Sequence, residues 1–139
     1  LKILNCSRIC GIDQSGISEL RYIEKLICFD NGKIKNVNHL KATLKILDCS
    51  RKCGIDQNGM SDLQYIEEFI CFDNSRINNV NHMRATLKIL NCSGECGIGQ
   101  NGISDLQYIE NLVCAANRKI KDISHLKITL KSLNHGSIY

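Results

Sequence analysis

The sequence predicts an α/β solenoid, with a parallel sheet of about seven short strands and irregular or short-helical arms behind it. Two observations lead there. LKILNCSRICGIDQSGISEL at 1–20 returns as LKILDCSRKCGIDQNGMSDL at 44–63 and as LKILNCSGECGIGQNGISDL at 87–106, a period of 43 residues. Units 1–43 and 44–86 agree at 30 of 43 positions, and units 44–86 and 87–129 agree at 24. Each unit also divides in two, because Leu1-x-x-Leu4-x-Cys6 is echoed by Ile23-x-x-Leu26-x-Cys28. The echo continues through Leu44, Leu47, Cys49; Ile66, Phe69, Cys71; Leu87, Leu90, Cys92; Ile109, Leu112, Cys114; and finally Leu130, Leu133, His135. Turns starting near 1, 23, 44, 66, 87, 109 and 130, the last incomplete, make 1–139 a single domain.

Within a turn, each element has a reason. A segment such as LKILDCS at 44–50 reads as a strand, with Leu47 and Cys49 inward and Ile46, Asp48 and Ser50 outward. Ile12, Ile17 and Leu20 line the return arm of the first turn, and Ile34, Val37 and Leu40 that of the second. The chain has no proline, so its bends are assigned to Gly11, Gly16, Gly54, Gly59, Gly97 and Gly102. One turn cannot bury its apolar edge alone, so the turns must stack and share a core. Seven strands about 4.8 Å apart give a sheet roughly 29 Å long.

The repeat resembles the leucine-rich repeat, LxxLxLxx(N/C)xL, over essentially the whole chain. Asn31, Asn74 and Asn117 match that family's asparagine, and Cys10, Cys53 and Cys96 match it in alternate turns, displaced by one residue. The resemblance implies that these side chains bond backbone groups of a neighbouring turn. The alternation of DCSRKCGIDQNGM (48–60) with CFDNSRINNVNHM (71–83) is similar to leucine-rich-repeat proteins of giant amoebal viruses. That likeness implies a viral protein in the host-cell cytoplasm.

Composition narrows the function classes. At 139 residues and 43% hydrophobic, a core can form without covalent staples. No run of 18 apolar residues occurs, which excludes a transmembrane helix, and no secretory leader is read at the start, which is Leu1. A net charge of +4 is too mild to imply nucleic acid, which leaves a nucleic-acid-binding module using the excess lysines as the weakest alternative. Nine cysteines cannot all pair within one chain, and they are read as reduced, mostly buried thiols of an intracellular protein. Neighbours along the Cys6, Cys28, Cys49, Cys71, Cys92, Cys114 column come within disulfide range on strand spacing, about 4.8 Å, but are expected to stay reduced.

Motifs that suggest chemistry have plainer readings. The CxxxC pairs do not converge four ligands on one point, and His39, His82 and His125 lie two turns apart, so neither metal nor cofactor is expected. His135 replaces the column cysteine in the last strand and reads as an end cap. Taking Gly59 as the sixth residue of a calcium loop puts Gly54 first and Tyr65 twelfth, both wrong ligands. Asn5-Cys6-Ser7 and Asn91-Cys92-Ser93 are formal glycosylation sequons, expected to stay unmodified. No nucleophile, base and phosphate-loop constellation is present, so the chain is read as not an enzyme.

The candidate site is the outward, concave face of the strands, where solenoids usually bind. The second column alternates Lys2, Glu24, Lys45, Glu67, Lys88, Glu110, Lys131, and the eighth runs Arg8, Asp30, Arg51, Asp73, then Gly94, Ala116, Ser137. Both are expected to form cross-strand charge pairs. Ile27, Ile70, Phe29 and Phe72 are expected to leave an exposed apolar patch, rimmed by Arg8, Asp30, Arg51 and Asp73, that binds an unknown protein partner. The alternative is structural: Leu1, Leu4 and Cys6 open the first strand without a cap, so the ends could stack into an oligomer or larger particle.

Overall fold

Every Leu-x-x-Leu-x-Cys site makes a strand, but a short one. The structure, a computed structural model, describes residues 1–136. Its strands are β1 Ile3–Asn5, β2 Lys25–Ile27, β3 Ile46–Asp48, β4 Glu68–Ile70, β5 Ile89–Asn91, β6 Asn111–Val113 and β7 Ser132–Asn134. They form one parallel sheet in chain order. Its register places Leu4, Leu26, Leu47, Phe69, Leu90, Leu112 and Leu133 in a single inward row. This is the α/β solenoid the repeat predicts.

Beyond the strands, backbone bonds between turns continue to the eighth position, as in Cys6 N to Ile27 O (2.8 Å) and Arg8 N to Phe29 O (2.9 Å). Arg8, Asp30, Arg51, Asp73 and Ala116 have φ between 56 and 60°, and Gly94 has φ 68°. The eighth position of all six complete turns is therefore left-handed, and the chain leaves the sheet there. The eighth column is a bend rather than part of a strand. Ser137, the seventh member of that column, lies outside the described residues.

The return arms are one helical turn each. α1, Gln14–Ser18, is capped by Asp13, whose carboxylate accepts the Gly16 N–H at 3.0 Å. The other arms carry 3-10 turns at Asn38–Leu40, Asn58–Met60, Asn81–Met83, Gln100–Ile103 and Ser124–Leu126. Between sheet and arms runs one core. It contains the cysteine column, Leu44, Ile66, Leu87 and Ile109 at the strand entrances, and Ile17, Ile34, Val37, Leu40, Met60 and Met83 from the arms.

Junctions between turns are of two kinds, and they alternate. Where an odd turn meets the next even turn, side chains do the stitching. The Asn31 amide donates to Cys6 O (2.6 Å) and Ile12 O (3.0 Å), while its oxygen accepts from Lys33 N (3.0 Å). Asn74 and Asn117 repeat the pattern, so the backbone role implied for the asparagines holds. Gln14, Gln57 and Gln100 each accept two backbone N–H groups of the following turn and donate to one carbonyl there. The DQNG segment that hints at calcium is thus a cap followed by a bridge.

Where an even turn meets an odd one, Asn38 and Asn81 each donate to a carbonyl and accept an N–H of the next turn, and the two backbones also come into direct contact. A Cβ at Gly54 would lie 2.5 Å from Ile34 O, and one at Gly59 only 2.0 Å from Lys35 O. Gly97 and Gly102 repeat this against Ile77 O and Asn78 O, at 2.5 and 2.2 Å. The bend assignment holds for Gly11, Gly54 and Gly97, whereas Gly16, Gly59 and Gly102 lie inside helical turns. Of the six glycines named for it, Gly11 alone has a positive φ (89°), while Gly54, Gly59, Gly97 and Gly102 serve close approach between turns.

Candidate functional site

The outward sheet face is built from the third and fifth residues of each turn. Ile3, Lys25, Ile46, Glu68, Ile89, Asn111 and Ser132 pair across strands in one row. Asn5, Ile27, Asp48, Ile70, Asn91, Val113 and Asn134 form the other, so apolar and polar side chains alternate from strand to strand. Ile27, Ile70 and Val113 are half-buried by their neighbours.

Phe29 and Phe72 depart from the expected exposed patch. Both are half-buried, and each carries a guanidinium over its ring, with Arg8 5.4 Å from the Phe29 centroid and Arg51 5.7 Å from that of Phe72. A cation above a ring face gains roughly 0.5–1 kcal/mol at a solvent-accessible position. The face presented outward is therefore arginine laid on phenylalanine.

The charged columns pair only in places. Lys2–Glu24 (3.1 Å) and Lys131–Glu110 (3.4 Å) form in the second column, and Arg51–Asp30 (3.6 Å) in the eighth. Asp30 and Asp73 do other work, accepting the Lys52 N–H at 3.3 Å and the Glu95 N–H at 2.8 Å in the following turn. A Cβ at Gly94 would sit 2.0 Å from the Asp73 carboxylate, so glycine there makes room for that bond. Asp30, Arg51, Lys52, Asp73 and Arg76 line an open cleft at this edge.

The cysteines divide into two groups. Cys6, Cys28, Cys49, Cys71, Cys92 and Cys114 are buried in the column, and burial among other sulfurs raises their thiol pKa values, that of Cys6 to about 12. Cys53 and Cys96 are also buried, yet they do not take over the asparagine role. The Cys53 sulfur lies 3.6 Å from that of Cys28, and the Cys96 sulfur 3.2 Å from that of Cys71. The close sulfur pairs thus run from column to arm, where spacing alone would put them along the column. Cys10 is exposed.

The histidines bind backbone. Nε2 of His39, His82 and His125 lies 3.1, 3.3 and 3.0 Å from Ile17 O, Met60 O and Ile103 O of the preceding turn, which requires that nitrogen to carry the proton. Burial lowers the His82 pKa. His135 is exposed beyond β7. Among the described residues no group of three or more His, Cys, Asp and Glu could hold a metal, and no helix is long and apolar enough to cross a membrane.

One surface column escaped the sequence reading. Tyr22, Tyr65 and Tyr108 are 75, 59 and 52% exposed and occupy the same place in successive units, just before the even strands. Aligning the units shows the column; what the alignment lacks is the direction in which it points. In comparisons with known proteins, no family model and no curated protein matches the chain.

Proposed function

We propose that this protein is a non-catalytic scaffold that binds a protein partner on its outward sheet face. One observation carries the reading. The repeated asparagines, glutamines and histidines of the arms are engaged in turn-to-turn hydrogen bonds, whereas the outward Ile27, Ile70 and Val113 row is half-exposed and flanked by Arg8 and Arg51 over aromatic rings. Arginine and aromatic side chains on a rigid apolar strip suit recognition of a protein surface. Repetition also argues against catalysis, because an active site needs one asymmetric constellation. The resemblance of segments 48–60 and 71–83 to repeat proteins of giant amoebal viruses supports reading it as a viral protein of the host-cell cytoplasm.

The test is capture of a partner by the immobilised protein. The Phe29→Ala/Phe72→Ala variant is expected to lose at least about tenfold of the captured partner, the effect of removing roughly 1.4 kcal/mol of binding energy. Ile70→Lys checks the same face with less risk to the fold. Undiminished capture by both folded variants overturns the reading.

A further inference from the structure

We infer that Cys28–Cys53 and Cys71–Cys96 are two oxidation sites, each able to close into a disulfide that staples an even turn to the odd turn after it. The pairs are the same device repeated one unit apart. A column sulfur of the second or fourth turn faces an arm sulfur of the next turn, at 3.6 Å in one pair and 3.2 Å in the other. A disulfide needs about 2.05 Å, so closure moves the two sulfurs together by roughly 1.2–1.6 Å, shared between two side chains. The backbones are already held close there by Gly54 and Gly97, which admit carbonyl oxygens of the preceding turn.

Chemistry distinguishes the two members of each pair. Arg76 donates to the Cys53 carbonyl, and the Lys119 ammonium donates to that of Cys96 at 3.0 Å. The facing S–H, with a smaller contribution from the cation, favours the thiolate of the arm cysteine, while the contact with that sulfur and burial keep the column cysteine protonated. The arm cysteine is therefore the nucleophile and the column cysteine the resolving thiol. All four sulfurs belong to fully buried residues, so a small oxidant reaches them only when the two turns part transiently.

A small neutral peroxide is the fitting oxidant. The Cys53 thiolate attacks one peroxide oxygen; an S–O bond forms, the O–O bond breaks, and the departing hydroxide becomes water. The Cys28 sulfur then displaces the second oxygen from the sulfenic acid, losing its proton, and that oxygen leaves as water. Two thiols and one hydrogen peroxide give one disulfide and two waters.

The experiment uses the reduced wild-type chain, hydrogen peroxide, alkylation and peptide mapping, at a temperature where the chain is folded. Cross-linked peptides joining Cys28 to Cys53 and Cys71 to Cys96 are expected, with a loss of two hydrogens per bridge reversed by dithiothreitol. Each bridge closes a loop of about 25 residues, so the melting midpoint is expected to rise on the order of 10 °C. Cys53→Ser is expected to abolish the first bridge and leave the second, and Cys96→Ser the reverse. Free, fully alkylated cysteines at these four positions after peroxide, or bridges joining column neighbours such as Cys28 and Cys49, overturn the inference.

Discussion

At the scale of the residue, the eighth position is where sequence and backbone part company. Arg8, Asp30, Arg51, Asp73 and Ala116 all adopt the left-handed conformation, which costs a side-chain-bearing residue about 1–2 kcal/mol. Asp30 and Asp73 offset it by bonding the following turn, and the two arginines by lying on phenylalanine. Ala116 is exposed and is not among the residues making such contacts. Ala116→Gly is accordingly expected to stabilise the protein by about 0.5–1 kcal/mol, less than the full strain because glycine is freer in the unfolded chain. Denaturant melts check it, with Asp30→Gly expected to move the other way. This conformation was not legible in the sequence. The column reads as alternating charge, with lapses at Gly94 and Ala116, and a glycine among aspartates and arginines looks like decay until φ is known.

At the scale of the element, identical letters do different jobs. Gly16 and Gly59 occupy one place in successive units, yet a Cβ at Gly59 would strike Lys35 O at 2.0 Å, whereas at Gly16 it meets the Ile12 side chain at 3.3 Å. Gly59→Ala is expected to cost more than about 3 kcal/mol, by forcing two packed turns apart. Gly16→Ala, inside α1, is expected to stay within about 1 kcal/mol of wild type, since helix propensity favours alanine. Similar thermal midpoints for the two variants would contradict the packing account. Strand identity and the inward row were legible because they follow a fixed period along the chain, and the asparagine bridges because the resemblance to the leucine-rich repeat implies them. The glycine contacts and the sulfur pairs were not, because they join residues of adjacent turns that share no strand register.

At the scale of the whole molecule, the six column thiols are all shifted in one direction. Their folded pKa values lie above the ordinary thiol value near 9, mainly through burial, so the folded state holds protons that the unfolded chain releases. Stability from this source is full below about pH 9 and falls as pH rises above it, by up to about 1.4 kcal/mol per pH unit for each thiol kept protonated. Cys53 and Cys96, lowered instead, oppose the trend, but they are two against six. Thermal melts in reductant at pH 8 and pH 10 are expected to show a large drop at the higher value; equal midpoints would mean the column is wet. The two kinds of junction reach further. An odd turn can be followed only by a turn that carries the asparagine, and an even turn only by one that carries the paired glycines. Tandem duplication or unequal exchange at the gene that keeps both junctions intact therefore changes the length of this protein in steps of 43 residues. A single-turn deletion would bring two unlike edges together, so the heritable unit of length is the pair of turns.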